Sequence, residues 1–340
     1  MQHLTANETY YRRVVTMLGI GLLFFLLFLV LFSGAVTVLT GVLNILPVSE
    51  TAAEVIYQLT YGALYLATFM LPVPLMRAFL KGGQLPWQPI RSSKPASRYL
   101  PLIVLGGITL ILAQSYLNAG LVSIFRFGDI AGSVLPSTDG RMSDLDLVLS
   151  FIVMAVVPAF CEEFLFRGAI LTNLLPFGRG TAILVSALTF ALMHQNLAQF
   201  LYAFGAGILL GYLYEKTGSI WNGVILHLCN NASSLLATAL PQRLGEEAGS
   251  TVLLILDAAL FLLGMVSIAV LAVRASEKTD ATEGAFGRSL PEADGYVRYP
   301  VAPGRSVRLL IVSPYGVYLI ACVATALLTA LMLGVLGGLA

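Results

Sequence analysis

Nine stretches of this chain are long and apolar enough to be read as helices crossing a lipid bilayer. A helix needs about 20 predominantly apolar residues to cross the hydrocarbon core. The stretches run roughly over residues 14–43, 54–78, 99–124, 146–172, 180–194, 197–214, 219–241, 250–273 and 309–338. The first is too long for the apolar region of a signal peptide and lacks a clean small-residue cleavage site, so it reads as a span. The fifth and sixth are short and almost contiguous, which makes eight the alternative count. Composition agrees: 58% of the 340 residues are hydrophobic and 11% charged, whereas an ordinary soluble domain carries about 25% charge. The expected fold class is all-α, a polytopic transmembrane helix bundle. Its expected parts are N-terminal spans with an interfacial loop (1–143), a four-span core (144–241), and C-terminal spans with a mobile cytoplasmic loop at 275–308 (242–340).

Basic residues favour cytoplasmic loops. With the N-terminus inside, beside Arg12 and Arg13, nine spans place all but Arg126, Arg141 and Arg243 of the 19 basic residues on the cytoplasmic side. The expectation is a multi-pass protein of a prokaryotic plasma membrane, N-terminus cytoplasmic. A formal charge of +1 carries no footprint for a polyanion, so no nucleic-acid partner is expected. Cys161, Cys229 and Cys322 lie in apolar stretches without metal-type spacing. No internal repeat of the inverted-repeat transporter kind is visible. Gly207 with Gly211 and Gly334 with Gly338 recur at helix-packing spacing.

Ionisable groups inside a bilayer cost about 2.5–3.5 kcal/mol each and mark pathways or active sites. Here they concentrate between residues 162 and 231, over four consecutive stretches. The fourth contains Pro158 and then Glu162-Glu163-Phe164-Leu165-Phe166-Arg167. Glu163 and Arg167 are four apart and share a helix face, where they can pair. Glu162 is rotated by about 100° from Glu163 and is free to face another group. Pro158 removes one helical hydrogen bond just before the acids and is a candidate kink. The fifth stretch ends Phe190-x-x-x-His194, and the seventh contains His227-x-x-x-Asn231. In each, the two residues lie on one face, and Asn230 is expected to face elsewhere. Each pair has a bland reading as a buried ion pair, an interfacial histidine, or polar glue between helices.

Depth favours the functional reading. At 1.5 Å per residue, Glu162, His194, His227 and Asn231 lie about 13–21 Å from the cytoplasmic ends of spans that run in opposite directions. A carboxylate, two imidazoles and an amide at one level of a low-dielectric cavity form an active-site constellation. A glutamate and a histidine can hold and deprotonate water. A second histidine and an asparagine can donate to a developing oxyanion. That set can hydrolyse an acyl bond, most simply a peptide. The rival is a metal site, zinc for example, ligated by Glu162, His194 and His227. Asp257, in the eighth stretch, has no assigned role.

Together the three motifs resemble those of the CAAX prenyl endopeptidase and bacteriocin-processing (ABI, CPBP) family of intramembrane proteases, over roughly residues 145–241. The resemblance implies an endopeptidase acting on a membrane-associated protein or peptide. Glu162 would be the general base on water and His194 would help hold that water. His227 and Asn231 would form the oxyanion hole, Glu163 would support, and Arg167 would orient the glutamate pair. The preferred reading needs no cofactor, and a divalent metal is the alternative. The family also includes members linked to bacteriocin immunity or scaffolding, so a non-enzymatic interaction protein is the competing function, with an ion-coupled transporter third.

Overall fold

The computed structural model describes residues 4–93, 99–124, 143–276 and 298–337. Most of loop 275–308, together with Gly338, Arg126 and Arg141, lies outside them. The described residues form helices joined by short connections: α1 (Ala6–Leu43), α2 (Glu50–Met70), α3 (Pro72–Gly82), α4 (Leu100–Ile124), α5 (Asp144–Phe177), α6 (Arg179–Met193), α7 (Leu197–Thr217), α8 (Ile220–Leu244), α9 (Glu246–Ser276), α10 (Pro303–Ile311) and α11 (Pro314–Gly337). The protein is an all-α, polytopic integral membrane bundle. Its surface supports this: α9 exposes Leu254, Ile255, Leu262 and Val266, a face that lipid can cover but water would not favour.

All nine apolar stretches are helical, but two are not simple spans. Among the described residues, seven helices are long and apolar enough to cross a membrane, α2 and α3 counting as one. The fifth stretch, α6, has only 15 residues, about 22 Å of helix at 1.5 Å per residue. The ninth is broken: α10 and α11 meet at 73°. Pro314 supplies no N–H to continue α10, and the Ser313 side chain caps the new helix by accepting from the Tyr315 N–H. Residues 303–308, expected to belong to a loop, are the start of α10. Their arginines hid the helix from a reading based on apolar runs, yet Ser306, Leu309 and Leu310 are buried. Arg305 pairs with Glu8 at 2.7 Å, tying α10 to α1.

The core forms where α1, α2, α5, α6 and α11 meet, around Phe25, Phe69, Phe166 and Tyr315. A smaller apolar cluster joins α4, α7, α8 and α9. Gly207 behaves as its spacing predicts: a Cβ there would lie 2.9 Å from the Ala187 Cα, so α6 and α7 approach at backbone distance.

The loop after α3 grips the start of α8. Ser92 and Ser219 form an antiparallel bridge. The Ile220 N–H donates to the Arg91 carbonyl at 3.1 Å, and the Ser219 hydroxyl donates to the Ser93 carbonyl at 2.6 Å. The helix carrying His227 is therefore anchored at its first residue.

Candidate active site

α5 supplies Glu162, Glu163 and Arg167. The helix is not uniformly α-helical. Residues Phe151–Val156 and Phe164–Leu171 form wider π turns on either side of a short α segment, Val157–Glu163. Pro158 sits at the junction after the first π turn, where helical bonding already changes pattern. The second closes with the Thr172 N–H donating to the Arg167 carbonyl, five residues back. Such turns are frequent at functional sites.

Arg167 and Glu163 are fully buried and paired at 2.6 Å, as their spacing predicts. Arg167 also donates to the Gly207 carbonyl at 3.2 Å and lies 4.5 Å from the centre of the Phe190 ring. These contacts tie α5 to α6 and α7. A buried ion costs least when it is paired, as Arg167 is with Glu163, although its Nε has no hydrogen-bond partner among the described residues.

His227 brings the two glutamates into one group. Its Nδ1 lies 3.0 Å from Glu163 Oε1, and its Nε2 lies 3.8 Å from Glu162 Oε2. Glu163 is an acceptor, so Nδ1 carries the hydrogen and donates. Glu163 therefore touches both Arg167 and His227. The expected supporting role of Glu163 and orienting role of Arg167 thus have a contact behind them, and His227, expected with Asn231 at an oxyanion, also bonds Glu163. Gly223, one turn before His227, makes the approach possible: a Cβ there would lie 2.8 Å from Glu163 Oε2.

Glu162 is buried and faces two helices. Its Oε1 accepts from the Tyr65 hydroxyl of α2. Its Oε2 has no hydrogen-bond partner among the described residues and faces His227.

His194 caps the C-terminus of α6, and its Nδ1 donates to the Phe190 carbonyl at 2.9 Å. Phe190 separates the two histidines, its ring centre 5.1 Å from that of His194 and 5.8 Å from that of His227. Both histidines line a cavity of about 50 Å³, with Asn231, Asn230 and Tyr202. Asn230, expected to face elsewhere, is part of this wall. The Tyr202 hydroxyl donates to Asn230 Oδ1 at 2.6 Å, and Asn230 Nδ2 donates to Asn231 Oδ1 at 3.3 Å. With its oxygen occupied, Asn231 has its amide hydrogens left to offer.

The structure thus gathers Glu162, Glu163, Arg167 and His227 in one contact group, and His194, His227 and Asn231 around one cavity. His227 belongs to both. Tyr65, Tyr202 and Asn230 were missed from the sequence. Tyr65 had a detectable signal: Glu54, Gln58, Tyr61 and Tyr65 recur at helical spacing along one face of the second stretch. On that face Gln58 bonds Glu54 at 2.7 Å and Ser150 at 3.3 Å. Asp257 lies elsewhere, on α9, accepting from the Tyr116 hydroxyl at 2.8 Å.

Among the described residues, no three His, Cys, Asp or Glu side chains are grouped as a metal ion would need. Glu162, His194 and His227 are not assembled as a ligand set. With both Nδ1–H groups committed and Glu162 Oε1 bonded to Tyr65, the ligand atoms left on these residues are Glu162 Oε2 and the two histidine Nε2 atoms.

Residues 144–233 match the family model described as type II CAAX prenyl endopeptidase, Rce1-like. The match covers α5 to α7 and the first half of α8, and with them all six expected site residues. The chain is also 28% identical over 149 residues to "Putative membrane peptidase YdiL" of Bacillus subtilis (strain 168), which is 42% of this chain and 59% of that one. The chain thus spans somewhat over half the length of that relative. No solved structure matches. The resemblance to the CAAX prenyl endopeptidase and bacteriocin-processing family, drawn from three short motifs, is borne out.

Proposed function

We propose that the protein is an intramembrane endopeptidase that hydrolyses a peptide bond with water activated by Glu162. The observation that carries this reading is the 3.8 Å between Glu162 Oε2 and His227 Nε2. That is too long for a direct hydrogen bond, and in the proposed reaction the two groups hold one water between them. Glu162 takes a proton from this water as its oxygen attacks the peptide carbonyl carbon. Negative charge moves onto the carbonyl oxygen, where an Asn231 amide hydrogen stabilises it. As the C–N bond breaks, the proton held by Glu162 passes to the leaving amine. Because Glu163 holds His227 Nδ1–H, a neutral His227 presents Nε2 as an acceptor for the water's second hydrogen. His194, with Nδ1–H committed to Phe190, likewise presents Nε2 to the cavity and helps hold water there. Arg167 fixes Glu163 and so fixes His227.

The substrate is a membrane-associated protein or peptide. The family model matched by residues 144–233 favours peptidase chemistry over an immunity or transport role. The distribution of basic residues and the bacterial relative support a prokaryotic plasma membrane with the N-terminus inside.

Membrane fractions from cells expressing wild type or Glu162→Gln at matched levels test this directly, with new peptide termini read by mass spectrometry. Termini present only with wild type are expected, and they give the cleavage context in the same experiment. Identical termini with a folded mutant would sink the reading.

A further inference from the structure

We infer that Tyr65 of α2 is a positioning residue for Glu162. This inference rests on the reading of Glu162 as the base. Tyr65 belongs to a helix outside the matched segment 144–233, and it makes a hydrogen bond to the residue on which the proposed chemistry depends.

A buried carboxylate has two oxygens and a terminal torsion with broad preferences. Left to itself, Glu162 can turn either oxygen, at a range of angles, toward His227. The Tyr65 hydroxyl donates to Oε1, and this bond fixes the carboxylate plane. Oε2 is thereby the oxygen facing His227 Nε2. A hydroxyl suits this task. It neutralises no charge, so Glu162 keeps its capacity to accept a proton, and it leaves one oxygen without a protein partner.

The tyrosine is itself held in place. Its ring stacks on Phe69 at 4.4 Å, Phe69 is 1% exposed, and Phe69 packs edge-on against Phe25 of α1 at 5.0 Å. On the other side Tyr61 stacks on Tyr65 at 6.1 Å. The donor is therefore attached to the main core of the bundle by ring packing. α2 also packs against the Val157–Glu163 segment itself. The N-terminal helices thus complete the site as well as enclosing it. A core of α5 to α8 alone would carry the motif residues with Glu162 unheld on this side.

The test uses the full chain in native membranes and compares rates of appearance of the wild-type peptide termini. Tyr65→Phe keeps the ring and its stacking and removes only the hydroxyl. It is expected to slow the reaction about 10- to 100-fold, with the thermal midpoint of the purified protein close to wild type. Tyr61→Phe removes a neighbouring hydroxyl from the same ring stack and is expected to stay within about twofold. Tyr65→Gln, which offers an amide donor, is expected to exceed Tyr65→Leu, which offers none. That comparison also decides the matter if Tyr65→Phe does not accumulate. Wild-type rates for Tyr65→Phe, alongside an inactive Glu162→Gln, would overturn the inference and leave the glutamate reading standing. So would a Tyr65→Gln no better than Tyr65→Leu. Wild-type termini from Glu162→Gln would instead remove the reading on which the inference rests.

Discussion

Gly223 of α8 and Glu163 of α5 meet so closely that a single added carbon would collide: a Cβ on Gly223 would lie 2.8 Å from Glu163 Oε2. Gly223 stands one turn before His227, so this contact sets how near His227 comes to both glutamates. Gly223→Ala is expected to push the Glu163 carboxylate aside at a cost of about 1–3 kcal/mol. The same shift disturbs its bond to His227 Nδ1, and an ångström of misplacement there costs roughly a hundredfold in rate. Terminus mapping in membranes together with a thermal melt checks this. Full activity in a stable Gly223→Ala protein would show that the site tolerates the displacement.

Arg167 is fully buried and pairs with a fully buried Glu163. Removing one partner leaves an uncompensated charge, which costs on the order of 3–5 kcal/mol. Arg167→Leu is therefore expected to lower the yield of folded protein, measured by detergent-resistant oligomer-free material on size exclusion and by its melting point. Arg167→Lys keeps the charge but cannot reproduce the fork that reaches both Glu163 and Gly207. It is expected to fold with reduced stability.

Asn230 receives a hydrogen bond from Tyr202 and gives one to Asn231. Asn230→Asp keeps the first bond and loses the second, which frees the Asn231 amide to turn over. A bond of this kind is worth about 0.5–1.5 kcal/mol, so activity is expected to fall about three- to tenfold, beside a lower melting point from the ionisable acid placed within the membrane. Asn231→Ala, which removes the amide itself, is expected to lose more. Equal effects of the two variants would contradict an orienting role for Asn230.

Glu162 Oε2 and His227 Nε2 are the donors left facing each other, one short of the three protein ligands that a catalytic zinc site usually has. Activity is expected to survive prolonged incubation of wild-type membranes with a strong chelator. Loss on chelation, with recovery on adding back zinc alone, would point to the metal reading.

Asp257 bonds Tyr116, far along the chain from the motifs and on α9 against α4. Asp257→Asn keeps an acceptor for that hydroxyl. Its peptide termini are expected to match those of wild type, and a missing set of termini would place Asp257 in the reaction.

Much of this protein was legible as sequence. Apolar runs identified the helices, because only a helix satisfies its own backbone in lipid. Spacing of four identified the Glu163–Arg167 pair and brought Phe190 beside His194, because neighbours on a helix face are set by local geometry. Intramembrane polarity drew attention to Glu162, Glu163, Arg167, His194, His227 and Asn231, since lipid penalises such groups wherever they have no task, and the structure gathers them around His227. The bend before α11 was not legible, because its first half is an arginine-bearing helix that buries one side against α1 and α6. Nor was the place of Asn230. Periodicity turns it away from His227, but the cavity is wide enough to span two faces of α8 and is closed by Tyr202 of α7. Sequence thus determined which side chains share a face. Which helix that face meets was decided by packing between segments far apart in the chain, and that is where Tyr65 comes to Glu162 and Glu163 comes to His227.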